Sequence, residues 1–397
     1  MPGVRAMTTQ PVRLRRLSLV DEGEEVLVGD PEAGTFISIP AVGGVVIAAL
    51  MNGATVEETA RRAEEYAGEP VDVPAFVETL RELGFLDEDD PGDERMPVAT
   101  APIQGRRWLS GLRPELARPL FGRVAWFGYG AAALFSLAAL VLVPALRPDP
   151  AGDAFAVSDI GLGALLVYPI TLVLAAVHEG WHWLAARALD LPARFGIDRR
   201  MAFLVFETDL SLLWSVPRKR RYGPLLAGLA IDSVMLAVVL GWRMVADNTV
   251  LGAVAYILVF QMVWQCMVFL RTDLYAVLIT WLRCKDLWRV KTLLLRRAFG
   301  RLREGEAAEL AAADPRDVRA GLWFRWLWLA GLFVVAAWLA FFALPVLVSL
   351  LRWTAAEVAA GPAAWRFWYA LACTALLLGP WLAVAGLAVR SRLTRER

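Results

Sequence analysis

Long apolar stretches dominate the chain after about residue 120. Six of them reach the length of a membrane-crossing helix, and they cover residues 124–145, 160–189, 223–245, 250–270, 326–351 and 366–389. A helix needs about 20 mostly apolar residues to cross the hydrocarbon core of a bilayer. This pattern predicts a polytopic α-helical membrane protein with about six transmembrane helices.

The first 88 residues follow a different pattern, in which short β-prone runs precede helical ones. Three strands are predicted at residues 12–17, 25–29 and 35–40. Three helices are predicted next. The first covers residues 41–51, the second starts at Thr55, where Glu58 completes a capping box, and the third covers residues 73–83 and ends at Gly84. These residues predict a small N-terminal α+β domain of winged-helix type in the cytosol.

The patterns divide the chain into four parts. Residues 89–118 begin acidic and Pro-rich, lack apolar periodicity and are predicted to form a flexible linker. This linker separates the domain at residues 1–88 from a transmembrane core at residues 119–290. Residues 291–397 are expected to form a charged, alanine-rich cytosolic helix and two C-terminal transmembrane helices.

The composition also favours a membrane protein. Hydrophobic residues make up 58% of the chain and charged residues 20%, with 17 tryptophans, which is an unusual balance for a soluble globule. Cys266, Cys284 and Cys373 are too scattered for a disulfide framework and are expected to be reduced. We expect the lipid bilayer as a partner and no nucleic acid.

Lysines and arginines are concentrated in the loops after the second and fourth apolar stretches, whereas the loop after the first has only Arg147 beside three aspartates. Because basic loops favour the cytosolic side, both basic loops and both termini are expected in the cytosol. The N-terminus also lacks an apolar segment of signal-peptide length. We therefore expect a multi-pass protein of the inner (cytoplasmic) membrane.

The run HEGWH contains the only two histidines of the chain, His178 and His182, with Glu179 after the first. Residues four apart share one face of a helix, so both imidazoles can bind one zinc ion while the carboxylate acts on a water. Residues 161–177, which precede the run, contain no charged side chain. Ionisable groups inside a membrane helix are costly and usually functional. The run therefore predicts a zinc site in a transmembrane helix.

A catalytic zinc site needs a third protein ligand and an open position. Four acidic residues are candidates for that ligand: Asp273, Asp232, Glu207 and Asp209. We prefer Asp273 because the charge distribution puts it at the same depth as the histidines. Asp232 lies one turn past Gly228, and we expect it instead to hydrogen-bond a ligating imidazole or to line the water path.

Residues 202–216 are apolar and β-prone, with a polar interruption at Glu207, Thr208 and Asp209. This composition predicts a hairpin that dips toward the membrane. Its edge could pair with an extended substrate, or the hairpin could simply cover the basic loop.

Residues 120–290 resemble the site-2 protease family of intramembrane zinc metalloproteases, in its branch of peptide zinc metalloproteases. The resemblance is carried by His178, Glu179 and His182 on one helix, by Gly223 and Pro224 opening the next helix, and by Asp273 near the helix after that. It implies that His178, His182 and Asp273 bind Zn²⁺ and that Glu179 is the general base. The chain departs from the family by having Trp181 instead of glycine before the second histidine and leucine instead of glycine after Asp273.

The first 88 residues resemble PqqD-like domains, which recognise leader peptides of ribosomally made natural products. The stretch at residues 30–36 and the Leu-x-x-Leu-Gly-Phe-Leu run at residues 80–86 carry this resemblance. Such domains add a peptide as a strand to a sheet edge, which implies substrate capture here. The alternative is a generic winged helix that docks on the membrane part or on a partner.

These observations lead to two functional hypotheses. The first is a zinc metallopeptidase that cleaves a membrane-protein or leader-peptide substrate near the cytosolic face, together with modification or export machinery. The second is a non-proteolytic, peptide-binding membrane component of such machinery. A membrane di-iron enzyme is excluded because two histidines are too few for its ligands, and a transporter would leave HEGWH unexplained.

Overall fold

The computed structural model describes residues 12–23, 25–30, 35–87, 106–109, 112–149, 153, 157, 159–191, 193–200, 203–246 and 248–395. The chain forms two compact units. The N-terminal unit comprises Met1–Gly105, Leu191–Arg194 and Asp209–Arg221, and the helical unit comprises Arg106–Asp190, Phe195–Thr208 and Tyr222–Arg397.

The described residues form six strands and fourteen α-helices. The strands are β1 Ser18–Asp21, β2 Glu25–Asp30, β3 Thr35–Pro40, β4 Arg106–Leu109, β5 Arg194–Arg200 and β6 Phe203–Asp209. The helices are α1 Ala41–Met51, α2 Val56–Ala67, α3 Val73–Glu82, α4 Pro114–Ala117, α5 Arg123–Leu142, α6 Ile160–Ala188, α7 Arg218–Arg243, α8 Thr249–Gln265, α9 Asp273–Leu282, α10 Leu287–Ala298, α11 Glu304–Ala311, α12 Pro315–Trp338, α13 Leu344–Val358 and α14 Trp365–Arg395.

The N-terminal unit contains a three-stranded antiparallel sheet in the order β1-β2-β3. The second and third strands lie where they were predicted, but the first prediction, residues 12–17, was wrong. The first strand is Ser18–Asp21, because residues 12–17 bond to the chain after α3 instead. Arg15 N donates to Phe85 O at 3.0 Å, and Asp87 N donates to Arg13 O at 2.9 Å. That pairing depends on tertiary contacts that a local pattern does not contain.

The three predicted helices of this unit are confirmed as α1, α2 and α3. The Thr55 side chain accepts a hydrogen bond from Glu58 N at 3.2 Å and so caps α2. The sheet and helices share a core in which Val28, Ile47 and Leu80 are fully buried. Burial of each such side chain stabilises the fold by roughly 1.5–3 kcal/mol. The motif predicted at residues 30–36 lies partly outside the described residues.

Residues 209–221 also belong to the N-terminal unit, where Arg221 is 3% exposed. Its guanidinium lies 2.6 Å from a Glu22 carboxylate oxygen, donates to Val216 O at 2.9 Å and covers the Trp214 ring. A buried charge needs such partners to offset the loss of hydration. Arg221 therefore ties the turn after β1 to the segment that follows β6.

Four helices of the described chain are long and apolar enough to cross a membrane: α5, α6, α7 and Pro315–Phe341, which continues α12 into a π-helical turn. They match four of the six predicted spans. The fourth predicted span corresponds to α8, which has only 17 residues, and the sixth to α14, which has 31. The count of six transmembrane helices therefore stays a prediction.

A second sheet has the strand order β4-β5-β6. Strand β4 pairs antiparallel with β5, with Arg106 opposite Ile197, so the segment predicted as a flexible linker contains a strand and, at Pro114–Ala117, a helical turn. The hairpin predicted at residues 202–216 is shifted toward the N-terminus. The Asp209 side chain accepts a hydrogen bond from Ser211 N at 3.1 Å. This bond stabilises a turn that ends β6, and a 3-10 helix follows at Ser211–Ser215.

Helix α10 packs against α12, and the charged, alanine-rich stretch between them contains the short helix α11. Lys291 of α10 is 2% exposed, and its Nζ lies 3.9 Å and 4.1 Å from the ring centroids of Trp288 and Trp328. The ring faces favour the ammonium form. Burial, with the nearby Arg271 charge, nevertheless lowers the pKa of Lys291 to about 8.

Candidate metal centre

Helix α6 carries the HEGWH run. His178 and His182 lie one turn apart on its buried face, with exposures of 3% and 2%, and their ring centroids are 5.0 Å apart. This geometry follows from the helix itself, since residues i and i+4 lie above one another on one face.

Helix α9 begins at Asp273 and brings its carboxylate to both imidazoles. Asp273 Oδ2 lies 3.0 Å from His178 Nε2 and 3.1 Å from His182 Nε2, and the two Nε2 atoms are 3.2 Å apart. The three residues form a cluster that could hold a metal ion. The structure thus brings together the two histidines and the aspartate that were predicted as ligands.

The other nitrogen of each imidazole faces a hydrogen-bond acceptor. His178 Nδ1 lies 2.8 Å from Asp232 Oδ2, and His182 Nδ1 lies 2.6 Å from the Pro224 carbonyl oxygen. A carbonyl or carboxylate oxygen only accepts, so each Nδ1 carries the hydrogen and each Nε2 of the neutral ring presents a lone pair.

Two Nε2 lone pairs and the Asp273 carboxylate oxygen therefore converge on one point, where a cation would relieve their mutual repulsion. Ligands about 2.0–2.1 Å from a tetrahedral zinc are separated by roughly 3.3 Å. The three observed separations, 3.0–3.2 Å, are close to that value. Two nitrogens and one carboxylate oxygen, in a buried site, fit a zinc ion.

One face of α7 forms the opposite wall of the centre and carries Pro224, Gly228 and Asp232 at intervals of four. A Cβ atom on Gly228 would lie 2.5 Å from His182 Nε2 and closer still to His178 Nε2. A side chain at this position would therefore occupy the space between the imidazoles. Sequence reasoning singled out Asp232 but not the role of Gly228, because a close approach between two helices leaves no local signal.

Asp232 is fully buried, and the position predicted for it, beside a ligating imidazole, is the one that it takes. The side-chain amide of Gln261 in α8 lies 3.2 Å from both Asp232 oxygens. This donor compensates for part of the carboxylate's lost hydration. Asp232 thus orients the His178 ring and is oriented in turn by Gln261.

Sequence reasoning missed Gln265 at the end of α8. Its Oε1 accepts a hydrogen bond from Asp273 N at 3.0 Å, which turns its Nε2 toward His178 Nε2 at 3.3 Å. The amide N–H therefore points at the centre. A signal was present, since Gln261 and Gln265 are amides spaced four apart in an otherwise apolar stretch, and polar groups in such stretches are often functional.

Glu179 lies on the side of α6 that faces strand β6. Thr208 N donates to Glu179 Oε2 at 3.2 Å, and Thr208 Oγ1 donates to the Glu179 carbonyl oxygen at 2.7 Å. Of the other ligand candidates, Asp209 accepts from Ser211 N, and the side chain of Glu207 lies outside the described residues.

Trp181 points away from His178, His182 and Asp273, toward α5. Its Nε1 donates to the Tyr129 hydroxyl at 3.1 Å, and that hydroxyl donates to Leu120 O at 2.9 Å. The Phe121 ring meets the indole edge-on, with centroids 6.5 Å apart. A large side chain before His182 is tolerated because its polar atom has a partner and its ring packs outside the centre.

Comparison with protein families, with curated proteins and with solved structures finds no match for the chain. What the protein does must therefore be inferred from the chemistry of this centre.

Proposed function

We propose that the protein is a membrane-embedded zinc metallopeptidase that hydrolyses a peptide bond near the cytosolic face of the inner membrane. The observation that carries the proposal is the convergence of His178 Nε2, His182 Nε2 and Asp273 Oδ2, with Glu179 directly following His178 on the same helix. A structural metal site has no use for an adjacent carboxylate that is not a ligand. This function agrees with the resemblance to site-2 proteases.

The ligands in this proposal are His178, His182 and Asp273. A zinc ion bound there would lower the pKa of a water toward neutrality and polarise the substrate carbonyl. Glu179 takes the proton from the attacking water and delivers it to the leaving amine. Gln265 turns an amide N–H toward the centre, where it can donate to the oxygen on which negative charge develops.

A peptide bond inside a helix has its carbonyl hydrogen-bonded internally, so a membrane-embedded substrate must be unwound before it is cleaved. Strand β6 is the last strand of its sheet among the described residues. Its edge offers backbone groups that can hold an extended peptide. The Thr208 contacts to Glu179 support the view that such a peptide would lie beside the general base.

The N-terminal unit suits the capture of a leader or precursor peptide. Its antiparallel sheet ends in β1 on one side and β3 on the other, and a sheet edge can bind a peptide by strand addition. In this proposal the N-terminal unit recognises the peptide and the metal centre hydrolyses it.

The test uses the full chain, purified in detergent, with a quenched-fluorescent library of transmembrane and leader-peptide sequences. We expect turnover by the wild type, no turnover by Glu179→Gln, and one zinc ion per chain in both. Glu115→Gln, an exposed position on α4, is the matched control and should cleave like the wild type. Equal turnover by Glu179→Gln would refute the mechanism. One bound zinc without turnover of any peptide would favour the non-proteolytic, peptide-binding component.

A further inference from the structure

Thr208 of β6 contacts Glu179 at two points, the side-chain carboxylate and the backbone carbonyl. Its backbone N–H donates to the carboxylate oxygen Oε2, and its hydroxyl donates to the backbone carbonyl oxygen. Thr208 is 8% exposed, so water competes little for either hydrogen bond. Two hydrogen bonds from a single residue fix the side chain and the backbone of Glu179 relative to the strand.

These two hydrogen bonds would hold a general base in one position before the reaction. A free glutamate side chain loses rotamer entropy when it is fixed in one conformation. The amide of Thr208 restrains the carboxylate before any substrate arrives, and it occupies only one of the two oxygens. A carboxylate held in this way is preorganised for proton transfer.

The direction of the Thr208 amide also identifies which edge of β6 faces the base. Backbone groups of alternate residues in a strand point to the same edge. The N–H of Thr208 points to α6, so those of Leu204 and Phe206 point to that same edge, away from β5. A peptide added along this edge would therefore lie alongside Glu179.

We propose that Thr208 is a positioning residue, which holds the general base Glu179 against the strand edge that receives the substrate. The inference rests on the proposed peptidase function and adds to it the element that aligns base and substrate. A role of this kind acts on the chemical step, whereas a residue that only shapes the strand would act on substrate binding.

The test compares Thr208→Val, which removes the hydroxyl bond to the Glu179 carbonyl oxygen but keeps the backbone N–H bond and a similar shape, with Thr208→Ser, which retains both bonds. Thr171→Val is the matched control, because the Thr171 hydroxyl makes only the ordinary bond to Val167 O within the same helix, at 2.9 Å. We expect kcat of Thr208→Val to fall by up to about tenfold, the effect of losing one of the two hydrogen bonds that hold Glu179. KM should stay within about twofold, and Thr208→Ser should recover most of the activity.

Two further measurements do not depend on turnover. Zinc per chain should remain one in Thr208→Val, and a peptide hydroxamate, which contacts both metal and base, should bind more weakly to it in parallel with the loss of kcat. Thr208→Ala provides the same comparison if the valine variant does not fold.

Three results would overturn the inference. The first is a rise in KM with unchanged kcat, which would limit Thr208 to substrate binding. The second is equal loss of activity in the serine and valine variants, and the third is loss of zinc from a folded Thr208→Val. Failure of the peptidase function itself is seen separately, as a wild type that neither cleaves the library nor differs from Glu179→Gln.

Discussion

Replacement of Gly228 by alanine is the sharpest test of the metal centre. The added Cβ would lie 2.5 Å from His182 Nε2, whereas ordinary contacts begin at 3.4 Å. The imidazole, the helix or both must therefore shift by about 0.9 Å, the difference between these two distances. Zinc–ligand distances tolerate only about 0.2 Å of error. The shift is several times larger than this tolerance, and it affects His178 as well.

The expected loss of zinc affinity is at least about 100-fold, because disturbing even the supporting partners of a ligand costs about 10- to 100-fold. At 1.36 kcal/mol per factor of ten this corresponds to about 2.7 kcal/mol. In the metal-free fold, alanine is favoured over glycine inside a helix by up to about 1 kcal/mol, and this gain offsets part of the roughly 1–3 kcal/mol that the overlap with the imidazoles costs. Zinc binding is therefore compared only between variants whose folding has been checked by thermal unfolding.

Gly241 offers a matched control on the same helix, because a Cβ there meets nothing within 4 Å. Zinc per chain is measured by atomic emission, and zinc affinity by competition with a chelator, for the wild type, Gly228→Ala and Gly241→Ala. We expect Gly241→Ala to match the wild type and Gly228→Ala to lose the ion. Wild-type zinc affinity in a folded Gly228→Ala would show that the two imidazoles do not bind metal against α7.

Three further changes have defined outcomes. Asp232→Leu removes the acceptor of His178 Nδ1 and should weaken zinc binding about 10- to 100-fold in the chelator assay; an unchanged affinity would contradict that role. Gln265→Leu should lower kcat about 100-fold with zinc retained, since a donor to the developing charge is lost; unchanged kcat would exclude such a donor. The pKa of Lys291 is lowered from 10.5 to about 8. Between these two pH values the folded chain therefore binds fewer protons than the unfolded chain. The free energy of unfolding should rise with pH in this range, by at most about 3 kcal/mol. Thermal unfolding of Lys291→Met between pH 7 and 10 provides the comparison, and a difference from wild type that is constant with pH would contradict this reasoning.

The sequence pattern predicted an element correctly where the interactions that form the element are local. The three N-terminal helices lie where capping residues and periodicity predicted them, and Thr55 caps α2 through Glu58 N as expected. The two histidines share one face because of helix geometry alone. Four apolar stretches form helices of membrane-crossing length for the same reason, since length and composition are properties of a single segment.

Predictions failed where a segment bonds to a distant part of the chain. Residues 12–17 are β-prone, yet they pair with the chain after α3 and leave the first strand to Ser18–Asp21. The hairpin near residue 202 was predicted too far along the chain, because β5 gains its partner from β4, which lies about 90 residues earlier. Neither partner is visible in the composition of the segment itself.

The sequence by itself determined the pair of imidazoles with the adjacent carboxylate, since a four-residue spacing on a helix has only one outcome. It also narrowed the third ligand to a few acidic residues. Only the tertiary structure selected Asp273 among them, brought Gly228 against the imidazoles and set Gln265 and Thr208 at the centre. The physical reason is that these contacts join helices and a strand that are far apart in the chain. Packing and hydrogen bonding between elements decide such contacts, whereas the spacing of residues within one element does not.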